Sequence, residues 1–193
     1  DGIFREKFER AAHNAPLHSA PLIQELGELA SLFSEGKIIS VSDSAWNSTM
    51  PPAARRYALP RKDTEQLDVY RFGYHGISME SVLEKTEAMF GMMPARTVVC
   101  HLGSGASVAA VQEGECRDTS MGFTPLEGLS MGTRIGNIDA GAVLYLEEAL
   151  QKTPQELEHY FNTECGVLGV SGETADMRGL IESAQSGDTP AEE

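Results

Sequence analysis

The chain has 193 residues and a formal net charge of −14, because 15 Lys and Arg residues stand against 29 Asp and Glu residues. A protein this acidic repels polyanions, so the composition argues against nucleic acid as a partner. The hydrophobic content of 41% is ordinary for a globular protein, and the length suits one large domain or two small ones.

The cysteines and the apolar stretches indicate the cellular compartment. Cys100, Cys116 and Cys165 are odd in number and form no CxxC pair, so neither a disulfide framework nor a zinc site is indicated. The segment 140–146 is the longest apolar stretch, and it is much shorter than the roughly 20 residues that span a bilayer. The segment 1–10 lacks the apolar core of a signal peptide. We therefore predict a soluble, cytoplasmic protein with no membrane partner, and we name no residue as a metal ligand.

The first predicted elements are a helix and a strand. Apolar residues recur at helical spacing from Pro21 to Phe33, which predicts an amphipathic helix that Gly36 ends. The β-branched run Lys37–Val41 is typical of a buried strand. The run ends in Ser42 and Asp43, as expected of a buried strand that delivers a polar side chain at its end.

The rest of the chain is predicted to mix helices with strands, which indicates an α/β fold. Prolines at 51, 52 and 60 predict a long irregular connection. Periodicity then predicts a helix over 82–90, a meander of strands over 97–101, 106–112 and 115–118, and helices over 140–151 and 154–161. The last helix is preceded by Thr153 and contains Glu156, which is the spacing of a capping box.

A glycine-rich turn joins the first two predicted strands. The segment 99–107, Val-Cys-His-Leu-Gly-Ser-Gly-Ala-Ser, leaves one strand and enters the next through Gly103, Ser104 and Gly105. Glycines let successive backbone N–H groups approach an anion without interference from a Cβ, so the turn suits a phosphate group. The alternative is a plain tight hairpin, in which Gly-x-Gly is common.

A second glycine-punctuated segment, 118–139, is rich in small hydroxyl side chains and carries Arg134. Flanking glycines and few neighbouring acids suit a guanidinium that binds phosphate or carboxylate. A solvated surface cation is the alternative. Asp139, at the end of the segment, is interpreted as structural, either holding its loop or capping the helix that starts at Ala140.

These two segments and three upstream motifs together resemble the acetate/propionate kinase family, from about Ala15 to Ser186. The upstream motifs are Ala-Pro-Leu-His at 15–18, Asp-Ser-Ala-Trp at 43–46 and Arg-Phe-Gly-Tyr-His-Gly-Ile-Ser at 71–78. The resemblance implies part of a two-domain actin/hexokinase-like (ribonuclease H-like) architecture, with mixed β-sheets flanked by helices. It also implies reversible transfer of the γ-phosphoryl group of ATP, with Mg²⁺, to acetate or a similar short-chain carboxylate, and a homodimer in the full-length form.

The resemblance assigns roles to residues that match the family's motifs. Those roles are catalysis for Asp43, His75 and Arg134, carboxylate binding for His18, and binding of the ATP phosphates for His101, Gly103, Ser104 and Gly105. Phosphoryl transfer needs positioning and charge neutralisation more than covalent help, which suits these residue types. The alternatives are a helix or turn cap for Asp43 and structural roles for the histidines.

Besides Ile77, which stands in place of threonine, the sequence departs from the family pattern at five positions. Ser104 replaces asparagine, Met79 and Asn47 replace histidines, and Ile135 and Asn137 replace serine and aspartate. The family's N-terminal strand, its substrate arginine and its C-terminal metal-linked glutamate have no counterpart.

Because these family elements have no counterpart, we expect incomplete domains and a loss of activity. We expect residues 1–55 to be the last part of a first α/β domain and residues 56–193 an incomplete second one. A fragment of this kind is expected to be inactive alone. The alternative functions are a non-catalytic nucleotide-binding or structural remnant of the fold, and a module that binds another anion through its Gly-Ser-Gly hairpin.

Overall fold

The computed structural model describes residues 16–187, with side chains from residue 22 onward. Its elements, in chain order, are α1 (Pro16–Leu32), α2 (Pro52–Arg55), α3 (Arg61–Leu67), α4 (Gly76–Phe90), β1 (Arg96–Leu102), β2 (Ala106–Gln112), β3 (Glu115–Thr119), α5 (Ala140–Leu150), α6 (Pro154–Thr163), α7 (Gly166–Ser171) and α8 (Met177–Gln185). A 3₁₀ turn, Trp46–Thr49, precedes α2. Within this part of the chain, no helix combines the length and apolarity that crossing a membrane requires.

The three strands form an antiparallel meander in the order β1-β2-β3. Cys100 lies opposite Val108 in the first pair, and the second pair shifts register between Ala110 and Val111. The turn between β2 and β3 has φ values of 54° at Glu113 and 83° at Gly114, the positive values that a tight hairpin turn adopts. The predicted meander is confirmed, and β2 has the predicted bounds.

Helix α4 packs on one face of this sheet. Met79 and Leu83, one helical turn apart, contact the buried side chains of Val99, Ala109 and Val111. The two elements meet because the helix repeats every 3.6 residues and the strands alternate every two, so each presents one apolar face. Gly91, at φ 72°, ends the helix as predicted, although the helix starts six residues before the predicted 82.

Helices α5 and α6 begin where their capping residues predict. The Asp139 Oδ1 accepts a hydrogen bond of 3.0 Å from the Ala142 N–H, which confirms the predicted cap of α5. The predicted capping box of α6 is also present between Thr153 and Glu156. The buried side chains of α6, Leu157 and Phe161, form a separate apolar cluster with Cys165.

Several predicted elements differ from the structure. The predicted strand Lys37–Val41 is wrong, since these residues form no strand and Ile39 and Val41 are 85% and 71% exposed. Within residues 16–187 no neighbouring strand pairs with this run, and a strand is stable only when its backbone groups are paired. Helix α1 starts at Pro16 rather than Pro21, and α2, α3, α7 and α8 were not predicted because they are short. The division at residue 55 stays a prediction.

Gly76 allows α4 to start against the 43–46 segment, so an added side chain should destabilise the fold. A Cβ at position 76 would overlap the carbonyl oxygen of Asp43, which accepts a 3.0 Å hydrogen bond from the Gly76 N–H. We expect Gly76→Ala to lower the free energy of unfolding by about 2–3 kcal/mol in urea titrations. Gly27→Ala is the control, because a Cβ there meets nothing within 4 Å, and it should stabilise helix α1 by up to about 1 kcal/mol. Equal stability of the two variants would contradict the contact at Gly76.

Candidate functional site

Asp43 lies at the N-terminus of α4, although 32 residues separate it from His75 in sequence. Its Oδ2 accepts a hydrogen bond of 2.6 Å from the His75 N–H, and its Oδ1 accepts one of 3.2 Å from the Ile77 N–H. The carboxylate therefore satisfies two N–H groups at the positive end of the helix dipole. Asp43 is half-buried, and the helix-cap alternative describes the contacts that it makes.

His75 precedes the helix in the left-handed backbone region, with φ 62°. This conformation is uncommon for a residue other than glycine, and it costs energy unless neighbouring contacts enforce it. The hydrogen bond to Asp43 and the close approach of Gly76 supply such contacts. The backbone here is therefore shaped to hold the imidazole of His75 in one place.

The rings of His75 and His101 stack on each other. Their centroids are 3.9 Å apart and their planes differ by 17°. His101 comes from the end of β1, so the sheet and the start of α4 each contribute one imidazole. The Nδ1 atom of each ring lies near a serine hydroxyl, at 3.0 Å from Ser107 and 2.9 Å from Ser78 respectively.

The glycine turn 103–105 lies beside this pair and beside Arg134. The position that a Cβ on Gly105 would occupy is 3.5 Å from the His75 Nε2 and 3.4 Å from the Arg134 Nη1. Within the turn, the Gly103 N–H donates to the Gly105 carbonyl at 3.0 Å. The structure thus brings together four of the predicted residues, His75, His101, Gly105 and Arg134, around one small turn.

The backbone that carries Arg134 is held by the helices that follow it. The Arg134 carbonyl accepts a hydrogen bond of 3.0 Å from the Met131 N–H, and the Met131 carbonyl accepts one of 2.8 Å from the Val167 N–H in α7. A Cβ on Gly166, which has φ 62°, would overlap the same Met131 carbonyl. Glycine at the start of α7 is therefore what lets this helix dock on the arginine loop.

The guanidinium of Arg134 differs from that of Arg71 in its surroundings. Arg71 pairs with Glu127 at 2.9 Å and with Asp118 at 3.5 Å. Among the described residues no carboxylate pairs with Arg134, whose Nη1 makes only a long 3.5 Å contact to the Pro125 carbonyl. Burial lowers the pKa of Arg134, but an arginine starts so high that it stays cationic at neutral pH. Its charge is therefore available to an anion.

Tyr74 ties the start of α4 to the arginine segment. Its hydroxyl donates a 2.9 Å hydrogen bond to the carbonyl of Phe123. Burial, with a smaller contribution from the charge of Asp43, raises the pKa of Tyr74 to about 12. The phenol is therefore neutral at physiological pH, and it adds no negative charge near His75.

Two of the predicted site residues are less well placed. Ser104 is exposed, and its carbonyl accepts a 3.2 Å hydrogen bond from the Gly132 N–H, so its backbone links the glycine turn to the arginine segment. The backbone of His18 belongs to α1, but its side chain lies outside the described residues. Its predicted contact with a carboxylate stays a prediction.

The structure shows which contacts the residues at the other four departures from the family pattern make. Met79 is 1% exposed in the core between α4 and the sheet, and Ile135 packs against the α6 cluster. The Asn137 Oδ1 accepts a 2.9 Å hydrogen bond from the Gly128 N–H, which closes the arginine segment. Asn47 is 1% exposed, its Oδ1 faces the Sγ of Cys116, and its Nδ2 has no hydrogen-bond partner among the described residues. None of the four faces the glycine turn in the way that His75 does.

Mg²⁺ fits this cluster as an ion held chiefly by phosphate. Within residues 16–187 no group of three or more His, Cys, Asp or Glu side chains lies close enough to hold a metal. Mg²⁺ usually keeps several waters and binds through one or two carboxylates plus the phosphates of a substrate. Asp43 fits the part of one such carboxylate, because within residues 16–187 each of its oxygens accepts a single N–H donor.

Ser78 and Ser107 lie within motifs that match the family, but no role was predicted for either of them. Ser107 is fully buried in β2, where its strand neighbours are apolar. A buried hydroxyl within an apolar strand is the signal that indicates a specific hydrogen-bond partner. Its partner, His75, is 32 residues away in sequence, so the sequence offered no means of naming it.

The fold is similar to that of solved acetate and propionate kinases. The propionate kinase of Francisella tularensis subsp. tularensis superposes with a TM-score of 0.91 at 36% identity, over 97% of this chain and 48% of that one. The acetate kinase of Entamoeba histolytica gives a TM-score of 0.88 at 27% identity, over 100% of this chain and 49% of that one. The predicted α/β fold of the actin/hexokinase-like class is confirmed.

Sequence comparison defines the family. The model of the acetokinase family matches residues 3–193. The acetate kinase of Methanosarcina thermophila is 43% identical over 98% of this chain and 48% of its own length, and that of Clostridium botulinum strain 657 is 38% identical over 99% and 49%. The chain therefore belongs to the acetokinase family, as its motifs predicted. It spans about half the length of the curated relatives that it matches.

Proposed function

We propose that this chain supplies one half of a carboxylate kinase site, which transfers the γ-phosphoryl group of ATP reversibly to acetate or a similar short-chain carboxylate. The observation that carries the proposal is the convergence of Arg134, His75 and His101 on the glycine turn 103–105. A cation that no carboxylate of the described residues pairs with, two imidazoles and exposed backbone suit the phosphate oxygens of a nucleotide. Family membership supports the reaction class.

The reaction needs these residues for electrostatics and positioning. A phosphoryl group in transfer spreads negative charge over its three equatorial oxygens, while the attacking and leaving oxygens stay in line. Arg134 would neutralise part of that charge, and His75 would donate a hydrogen bond to it. His101 and the backbone N–H groups of Ser104 and Gly105 would hold the phosphates of ATP, since the Gly103 N–H donates within the turn. Bound Mg²⁺ would supply charge neutralisation between the phosphates.

Asp43 has two proposed functions that coexist. Its carboxylate caps α4 and thereby holds His75, and its negative charge positions the metal-bound phosphates relative to the carboxylate substrate. His18 is proposed to lie near that substrate. The capping contacts make the first function a property of the folded chain, whereas the second awaits a turnover measurement.

The same proposal includes the oligomeric state, the location and the ligands of the full-length protein. We infer a full-length homodimer in the cytoplasm, whose ligands are ATP, Mg²⁺ and a short-chain carboxylate, with neither nucleic acid nor membrane as a partner. The net charge of −14 supports the exclusion of nucleic acid. The division into residues 1–55 and 56–193, two parts that would close on the nucleotide, belongs to this proposal.

The isolated chain is expected to form no acyl phosphate, whereas a hybrid enzyme should form it. In the hybrid enzyme, this chain replaces the matching half of a full-length acetate kinase. Positioning between two domains supplies much of the effective molarity, so half of the site should lose most of the rate. The measurement is trapping of acyl phosphate as hydroxamate with ATP, Mg²⁺ and acetate, beside the full-length kinase as the positive control.

The same assay separates the proposal from the non-catalytic alternative, which the short and exposed side chain of Ser104 favours. A folded hybrid that binds ATP but yields no hydroxamate would support a nucleotide-binding remnant. Ser104→Asn in that inactive hybrid would then test whether the short side chain is the cause. Robust product from the isolated chain would instead show that the other half is dispensable.

A further inference from the structure

The two stacked histidines are each backed by a serine. The Nδ1 of His75 lies 3.0 Å from the Oγ of Ser107, and the Nδ1 of His101 lies 2.9 Å from the Oγ of Ser78. Ser107 comes from β2 and Ser78 from the first turn of α4, so the two contacts arise from different elements. In both rings, therefore, the Nδ1 atom lies within hydrogen-bond distance of a serine hydroxyl.

The opposite edge of each ring faces the glycine turn. The His75 Nε2 is 3.5 Å from the position of a Cβ on Gly105, and the His101 Nε2 is 3.6 Å from that of a Cβ on Gly103. Glycine at these two positions leaves space in front of the imidazoles that a side chain would fill. Arg134 reaches the same space through its Nη1, at 3.4 Å from the Gly105 position.

The burial of Ser107 indicates which atom carries the shared proton. This serine is 0% exposed, and among the described residues the Nδ1 of His75 is the only partner of its hydroxyl. A buried hydroxyl keeps a hydrogen-bond acceptor for its proton, so the Ser107 O–H donates and Nδ1 accepts. A neutral imidazole has a single N–H, which then lies on Nε2.

We propose that Ser107 and Ser78 are positioning residues that hold His75 and His101 in the Nε2–H tautomer. Both rings then donate a hydrogen bond toward the space over the glycine turn, where they meet oxygens of a phosphoryl group. The rings stack with their centroids 3.9 Å apart, and a neutral imidazole has a single N–H, so its tautomer decides in which direction the ring donates. The inference rests on the proposed kinase site and names what orients its donors.

Nitrogen NMR of the histidine-labelled chain tests the tautomer without any ligand or turnover. Two-bond ¹H–¹⁵N spectra, recorded where the rings are neutral, distinguish a protonated from an unprotonated ring nitrogen. His75→Asn and His101→Asn assign the signals. We expect Nε2 protonated and Nδ1 unprotonated in both rings. A ring that carries its proton on Nδ1 would overturn the role of the serine beside it.

Binding of inorganic pyrophosphate tests the consequence for the anion. Ser107→Ala and Ser78→Ala should each weaken pyrophosphate binding roughly fivefold, the effect of misdirecting one hydrogen bond. They should also move the Nδ1 signal of the adjacent ring toward that of an unbonded nitrogen. Ser78→Thr, which keeps the hydroxyl, should restore both values, and the exposed Ser186→Ala is the neutral control.

The outcomes separate this inference from the kinase proposal. Unchanged affinity and unchanged Nδ1 signals in both alanine variants would overturn the positioning role and leave the kinase proposal intact. Failure of the unmodified chain to bind pyrophosphate would overturn the anion site, and the kinase proposal with it. If Ser107→Ala does not fold, the signals of His101 will report it, and Ser78→Ala with its threonine rescue decides the question.

Discussion

Replacing Arg134 by lysine is expected to lower the turnover of the hybrid enzyme by about 100-fold, because lysine keeps the charge but loses the planar fork that contacts two phosphate oxygens. The fold should persist, since backbone hydrogen bonds to the Met131 and Gly132 carbonyls, and not the Arg134 side chain, hold the segment to α7. Steady-state kinetics with acetate, ATP and Mg²⁺ measure the effect, and circular dichroism checks the fold.

The matched control for this prediction is Arg178→Lys, an exposed arginine in α8. It should leave turnover unchanged, since an exposed surface cation contributes little to a site elsewhere. Turnover of Arg134→Lys at the level of this control would identify Arg134 as a surface cation, which is the alternative that its sequence context left open.

Replacing Asp43 by asparagine is expected to lower turnover by a similar factor of about 100 while ATP still binds. Asparagine keeps the shape and remains a good helix cap. It removes the negative charge and leaves one oxygen, so one of the two N–H groups of α4 loses its acceptor. We therefore expect a cost of about 1 kcal/mol in stability beside the loss of turnover.

Asp139→Asn is the control that separates capping from chemistry. Asp139 caps α5 through the Ala142 N–H as Asp43 caps α4, but it lies outside the histidine cluster. Asp139→Asn should lose less stability in urea titrations than Asp43→Asn, because asparagine keeps the one oxygen that caps α5, and only Asp43→Asn should lose turnover. If both variants kept full turnover, Asp43 would be a helix cap alone.

Local signals in the sequence were sufficient for much of the fold. The hairpin turn at Glu113, the capping box at Thr153 and the cap at Asp139 depend on residues within a few positions of one another. Each was predicted from spacing and confirmed. The strand over 37–41 failed for the opposite reason, since strand formation depends on a neighbour that a local pattern does not contain.

The candidate site was known from the sequence only as a set of matching motifs. Its residues were named in chain order, from Asp43 to Arg134, with roles implied by the family. Nothing in those motifs indicated that His75 adopts a left-handed backbone or that its ring stacks on His101. Those features join α4 to the end of β1, and stacking requires both elements to be in place.

The sequence by itself determined the α/β class, the meander, the caps of α5 and α6 and the family to which the chain belongs. Only the tertiary structure decided that Asp43 caps α4, that Ser107 contacts His75, and that Arg134 lies beside Gly105 without a carboxylate partner among the described residues. The physical reason is distance along the chain. Caps and turns are set by backbone hydrogen bonds between near neighbours, whereas a site made of side chains 30 or more residues apart exists only after the sheet and helices have packed.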